Sequence, residues 1–352
     1  MRGGMKVELM ALDAEFNPVA KTKLKYYDLT WNRKYYETGE FAVQIKADDY
    51  ISEMKYIFTN DRPELGVIQK TEYTAEDGMI VLSGFFFEGK LADKIIYPMF
   101  ERYGKRTEYV TAAVNTYKDD IPKLQVAEYE HTGESVQKQE TGDSLETMAH
   151  ETLQVEEKAY RCRYDFENDI IWFEIYQGVD RTQAQSENNF VTFSKGFRNM
   201  CGVTAETDES NYKNYFVVGG TGEGVNRIYA TLDLSNGGYK RQLFIDAKSK
   251  SYNEDKQTLA EYKEILIQKA TEKAEKYVKI ENVEFDADAN AGAKYMTDYD
   301  LGDKCDVIIE ELKLSYEARI IEILETWSKG QHQVTLTFGD KIPTQYEKAR
   351  IR

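Results

Sequence analysis

Ala159-Tyr-Arg-Cys-Arg-Tyr-Asp-Phe166, Glu167-Asn-Asp169 and Ile170-Ile-Trp-Phe-Glu-Ile-Tyr176 read as strand, turn and strand. β-Branched and aromatic residues flank a turn made of Asn and Asp, the pattern of a β-hairpin. The second strand runs out into Gly178-Val-Asp-Arg-Thr182. Beyond a polar loop come Phe190-Val-Thr-Phe193 and Phe197-Arg-Asn199, then Asn214-Tyr-Phe-Val-Val-Gly-Gly220. None of these pieces is catalytic on its face. Asp180 and Arg181 either make an ion pair between subunits or simply close a strand end, and the second is the plainer reading.

On the N-terminal side, residues 5–46 read as β, with alternation in Met5–Met10 and Tyr35–Ile45. The clearest hairpin is Gly66–Tyr73 and Met79–Phe87 about an Asp77-Gly78 turn. Thr107–Tyr117 and Asp143–Val155 have helical spacing, the second with Asp143 and Glu146 in a capping-box pattern. On the C-terminal side Thr258–Val278 is the strongest helix, opened by Thr258 and Glu261 and lined by Leu259, Tyr262, Leu266, Ala270, Ala274, Tyr277 and Val278. Strand patterns resume at 280–285, 305–309, 318–326 and 333–338. Ala318-Arg-Ile-Ile-Glu322 echoes Gly66-Val-Ile-Gln-Lys70, and Ile320 and Ile68 each precede a turn glycine, Gly330 and Gly78, by ten residues. If the echo marks a duplication, two similar β-domains bracket a mixed α/β middle.

The 352 residues suffice for two to four domains, and the net charge is −16. Gripping duplex DNA needs a positive patch, so this balance argues against a DNA-gripping protein. Cys162, Cys201 and Cys305 are widely spaced and odd in number, which gives neither a disulfide framework nor a zinc spacing. Met1-Arg-Gly-Gly-Met5 lacks the apolar stretch of a signal peptide. The 26 tyrosines suit sheet faces and subunit interfaces.

Chemical motifs fail in detail. Gly219-Gly-Thr-Gly-Glu-Gly224 lacks the glycine that G-x-G-x-x-G needs at Arg227 and the Gly-Lys of a Walker loop, so it reads as a hairpin turn. His150-Glu151 lacks the second histidine of H-E-x-x-H, because position 154 is Gln. Asp286-Ala-Asp-Ala-Asn-Ala-Gly292 resembles a calcium loop, but its glycine falls one position late and Thr297 stands where a bidentate Glu belongs. A solvated acidic turn is the plainer reading, with a loose oxygen-ligand site left open. From Glu281 to Glu311 ten acids face two lysines, a net of −8, half of the chain's total. This is either a solvated face or a negative lining that repels phosphate and lets DNA slide past.

The order of strand, Gly178–Thr182, Phe190–Phe193, Phe197–Asn199 and Asn214–Gly219 resembles the siphophage tail hub and tail-associated proteins of Gram-positive phages and prophages. So does the C-terminal run of helix, acidic strand and turn, Tyr299-Asp-Leu-Gly-Asp303 and a hairpin ending in Leu336-Thr-Phe-Gly339. The resemblance spans nearly the whole chain through short motifs whose order carries it. It implies an α+β, mainly β fold like a phage baseplate hub, with two tube-like β-barrel domains and α/β insertions. Residues 1–100 would form the first barrel, 101–200 an α/β domain, 201–250 with 280–345 the second barrel, and the helix of 251–279 would belong to the α/β part. Three subunits would form a ring of six barrels, matching a hexameric tail tube at the distal tip of the virion tail. The ring would join the distal tail protein to a fibre or lysin and pass DNA and the tape measure protein. Its expected lining is Glu281, Glu284, Asp286, Asp288, Asp298, Asp300, Asp303 and Asp306. No catalysis, cofactor or metal is expected. The competing expectation is a carbohydrate-binding or peptidoglycan-cleaving surface protein, favoured if Trp31, Trp172 and Trp327 share an exposed face.

Overall fold

The computed structural model describes residues 7–19, 23–287 and 292–339. The first unit contains β1 (Met10–Leu12), β2 (Asp28–Lys34), β3 (Glu40–Lys46), β4 (Tyr56–Phe58), β5 (Leu65–Thr74) and β6 (Met79–Phe86). β5 and β6 form the hairpin expected at Asp77-Gly78, with Gly78 at a φ of 64° that its missing Cβ permits. The alternation expected from Tyr35 becomes strand only at Glu40, because residues 35–39 turn the chain from β2 into β3.

The middle contains β7 (Phe100–Lys105), α1 (Arg106–Tyr117), β8 (Leu124–Val126), β9 (Ser135–Glu140), α2 (Leu145–Gln154), β10 (Ala159–Asp165) and β11 (Ile170–Tyr176). β10 and β11 are the hairpin of the opening stretch, paired from Ala159↔Tyr176 to Asp165↔Ile170. The cap of α2 is Ser144, whose Oγ accepts from Thr147 N, rather than the expected Asp143–Glu146 box. Glu146 turns instead to Thr38, and Asp143 to Lys269. Leu145, Met148, Ala149 and Leu153 of α2 pack with Tyr109, Val110 and Phe173 in one apolar cluster.

Next come β12 (Thr192–Ser194), β13 (Met200–Asp208), β14 (Tyr215–Gly219), β15 (Tyr229–Asp233), β16 (Gln242–Asp246), α3 (Leu259–Ala274), β17 (Ile280–Ala287), β18 (Lys304–Ile309), β19 (Leu314–Ser328) and β20 (Gln331–Gly339). Thr258 and Glu261 form the expected capping box. Of the face expected on α3, Leu259 is exposed, whereas Tyr262, Leu266, Ala270 and Ala274 are buried with Ile265. Gly220–Ile228 joins β14 to β15 as a hairpin connection. Of residues 201–250, β13 joins the large sheet, while β14, β15 and β16 form their own three-stranded sheet packed on α3.

The fold is mostly β, and its centre is a twelve-stranded sheet. One half runs β1-β4-β5-β6-β3-β2, the other β12-β18-β19-β20-β17-β13. Position by position these are the same arrangement. β5/β6 and β19/β20 are matching hairpins, and each is bulged at the echoed residues, between Ile68 and Lys70 and between Ile320 and Glu322. The outermost pairs differ, β1–β4 being antiparallel and β12–β18 parallel. Among the described residues neither half closes on itself. The edge of β2 is taken by β19 of the other half, over Lys34↔Glu322 to Asp28↔Ser328. The two expected barrels are therefore one continuous open sheet.

Candidate functional site

Strand alternation gives the shared sheet two different faces. One carries Leu29, Trp31, Val43, Leu82, Ile323 and Leu336 into the two apolar cores. The other carries cross-strand rows made mostly of polar residues. One row runs Gln333–Thr326–Thr30–Ala42–Ser83–Lys70 through both halves, and its neighbour runs Gln331–Ser328–Asp28–Gln44–Val81–Glu72. A third begins Asp286–Thr335–Leu324–Asn32–Glu40. The third row runs on through Phe85, Val67 and Tyr56 into the apolar cluster beneath α1 and α2. Among the described residues the first two rows join no apolar cluster, so the open part of this face is a polar wall.

Where the halves meet, the inner face is ionic. Arg33, 2 % exposed, donates to Glu64 and Asp300 at 2.6 Å and to Tyr295 at 3.0 Å. Trp31 Nε1 donates to Glu64 at 3.2 Å. Arg62 grips Glu325 with two donors at 2.6 and 2.5 Å. Burial raises the Glu325 carboxyl, but hydrogen bonds from Arg62 and His332 outweigh it, leaving it below its ordinary range. Burial opposes charge on Arg33 too, yet Glu64, Tyr295 and Asp300 hold it well above its usual value. A guanidinium fork matches carboxylate geometry, which suits a junction whose backbones are fixed by a ladder.

A second junction stacks the two sequence motifs that carry the resemblance. Gly178 and Gly302 lie so close that a Cβ on Gly178 would sit 1.8 Å from the Gly302 carbonyl oxygen. Gly302, at φ 91°, lies against the Tyr35 ring. Asp303 accepts from Val179 N at 2.7 Å and from Arg181 Nε at 2.6 Å. Arg319 donates to the Gly302 carbonyl and to Glu157, both at 2.5 Å. Arg181 therefore closes a strand end within one chain, with Asp303 as its partner, while Asp180 caps Thr182.

The acidic candidates separate accordingly. Asp303 is 3 % exposed, and its oxygens are committed to this junction, so it does not line an open surface. Asp300 holds Arg33, Asp306 accepts from Gln183 N at 3.0 Å, and Asp298 accepts from Lys294 N at 2.7 Å. Glu284 is exposed on the polar face, and Asp286 beside it accepts from Thr335 at 2.7 Å. The side chain of Glu281 and all of Asp288 lie outside the described residues, as does 288–291 of the calcium-like run. Sequence alone does not separate these acids, because their cations lie up to 267 residues away.

The α3 unit docks on a third charged junction. Glu140, 2 % exposed, meets Lys250 at 2.7 Å, Lys269 at 3.4 Å and Lys138 at 3.7 Å. Burial pushes Glu140 up, but these three lysines draw it far below its ordinary range. Glu151 is ringed by Lys269, Lys273 and Lys276, which outweigh burial and bring it down to about 2. Lys138 also holds Glu272 at 2.7 Å.

A shallow groove of about 690 Å³ lies between the 58–63 and 163–168 segments, with Met296 on its rim. Trp31 and Trp327 are buried, at 1 % and 5 % exposure, so the tryptophans do not form an exposed sugar-stacking face. Trp31 packs on Phe86, and Trp327 stacks on His332. Among the described residues no helix is long and apolar enough to cross a membrane.

No curated protein sequence matches the chain. Three solved tail proteins share its fold over nearly their whole lengths. The tail protein from Neisseria meningitidis MC58 superposes with a TM-score of 0.59 at 11 % identity, covering 96 % of this chain and 97 % of its own. Prophage tail protein gp18 from Listeria monocytogenes EGD-e gives 0.56 at 12 % identity, covering 98 % and 99 %. The 43 kDa tail protein of prophage MuSo2 from Shewanella oneidensis gives 0.55 at 13 % identity, covering 94 % and 98 %. The family model of the Siphovirus ReqiPepy6 Gp37-like protein matches residues 8–340. With that match over almost its full length, the chain belongs to the Siphovirus ReqiPepy6 Gp37-like family and is a phage tail protein.

Proposed function

We propose that this tail protein is the structural hub at the distal tip, a homotrimeric ring around a DNA-conducting channel. The observation that carries this is the duplicated sheet with open polar rows across one face. Two equivalent halves per chain give six in a trimer, a number suited to docking on a hexameric tube. The polar rows suit a channel wall, because hydroxyl and amide side chains stay hydrated and offer DNA no cationic foothold. Glu284, Asp286, Glu40 and Asp28 give that wall a negative bias against Lys34 and Lys70. Glu284 and Asp286 are the members of the acidic segment proposed to line it.

The ring would join the tail tube and distal tail protein on one side to a fibre or lysin on the other. The tape measure protein and the genome would pass through it, within the virion tail. Its work is to hold a shape, without catalysis.

Sedimentation of the purified chain and cryo-EM of the assembled particle test this. A trimer with the polar face turned inward is expected. A stable monomer, or a trimer with that face outward, would overturn it. Clearing of cell-wall material by the purified chain would remove the non-catalytic part.

A further inference from the structure

The duplication leaves one unequal feature. In the first half, β2 has its outer edge covered by β19. In the second half, among the described residues, the equivalent strand β13 pairs only with β17 and ends the sheet. At the opposite end, β5 pairs with β4 only as far as Val67, so among the described residues the edge of Lys70–Thr74 is open. The equivalent stretch of β19, past its own bulge, is the part that receives β2. The chain thus carries one internal joint and the two halves of a second, at its two ends.

We propose that β13 of one copy pairs antiparallel with Lys70–Thr74 of the next copy, repeating the internal β2–β19 joint. This rests on the ring proposed above and gives it a specific contact. A second copy is the fitting occupant because the joint it would complete already exists within the chain. The contact is head-to-tail, and such contacts close into rings when the rotation per copy permits.

The register follows from the ladders. Matching the two bulges places Lys70 at the position of Glu322 and Thr74 at that of Thr326. Following the pairing across each half places Thr204 at the position of Thr30 and Asp208 at that of Lys34. Thr30↔Thr326 and Lys34↔Glu322 then become Thr204↔Thr74 and Asp208↔Lys70. The charges are exchanged, but the pair stays complementary. Glu206 would lie across from Glu72, which Lys70 already meets at 2.7 Å. Both edges have the exposure of unfinished sheet. Gln69–Thr74 are all exposed, Tyr73 at 61 %, and so are Thr204–Thr207. Long open edges invite uncontrolled pairing, and a defined partner removes that hazard.

The test is a disulfide between copies of the full chain. Directly opposed antiparallel residues have Cα atoms about 4.5–5.5 Å apart, inside the range a disulfide tolerates. Thr74→Cys and Thr204→Cys are combined with Cys201→Ser, which removes the exposed native thiol. Under mild oxidation the pair should convert monomer into a covalent ladder ending at three chains. Each single variant, and Thr74→Cys with the register-shifted Thr207→Cys, should not. A ladder running past three chains would support the joint and overturn the trimer. A trimer by sedimentation without cross-linking would overturn the joint alone. A monomer without cross-linking would overturn both. Lys70→Asp should weaken association roughly two- to five-fold, and adding Asp208→Lys should restore it. Failure of that rescue in a folded double variant would count against the register.

Discussion

The β2–β19 junction and the α3 junction both bury charge, but they hold their parts together differently. At β2–β19 a seven-residue ladder fixes the backbones, and arginines clamp carboxylates behind it. At α3, among the described residues, no strand pairing crosses, and lysines converge on the buried Glu140 and Glu151 instead. A forked guanidinium rewards a rigid frame, while a flexible ammonium tolerates the looser seat of a docked helix. The contrast implies that the first junction opens only with global unfolding and that the second can release alone.

The severest way to break the contrast is Arg33→Met. It leaves the buried Glu64 carboxylate, just before β5, without its cation and should cost about 3–5 kcal/mol. Thermal unfolding should shift as one transition, with faster hydrogen exchange in β2 and β19 together; exchange confined to either strand would contradict a shared joint. Glu140→Gln takes from Lys250 its carboxylate partner and from Lys269 and Lys138 a shared anion, and should cost about 3 kcal/mol, read locally. Proteolysis or exchange should rise across 215–274 while β2 and β19 stay protected. If both regions loosen equally, the junctions are not independent.

Acid sharpens the comparison without a mutation. Glu151 has a folded value of about 2 against an ordinary 4.5, and Glu140 is displaced the same way. Their contribution is complete above about pH 4.5 and is lost as pH falls through about 2. The α3 unit should therefore undock in that window before the large sheet melts, which exchange at stepped pH would reveal. Glu88 has the opposite sign. Burial raises it to about 8, so its contribution is present below pH 4.5 and fades as pH climbs through 8. The smallest effect is Thr258→Ala, which removes half of the α3 capping box and should cost about 1 kcal/mol. Fraying of 259–262 with the β2–β19 junction untouched is the expected exchange pattern.

Periodic patterns were legible in the sequence where neighbours in the chain create them. The β10–β11 and β5–β6 hairpins, the Thr258 cap and the echo between Ile68 and Ile320 are local facts, and the structure keeps them. What escaped was long-range. Asp303 looks like any other acid in its run until Arg181 and Val179, over 120 residues earlier, take both its oxygens. Trp31 and Trp327 give no sign of burial, because the polar atoms that accompany them belong to Glu64 and His332. Ser144 captured the start of α2 because Asp143 was drawn away by Lys269 of α3.

β19 is fifteen residues long, and it changes partner partway, leaving β18 at Arg319 and meeting β2 from Glu322. A single inserted or deleted residue there would turn side chains inside out on both halves at once. Among the described residues the backbones of 184–189 and 235–240 pair with no strand, so extra length there stays where it is put. Growth and shrinkage of such a protein are thus channelled to its outer loops, while this one strand sets the gauge to which both halves are cut.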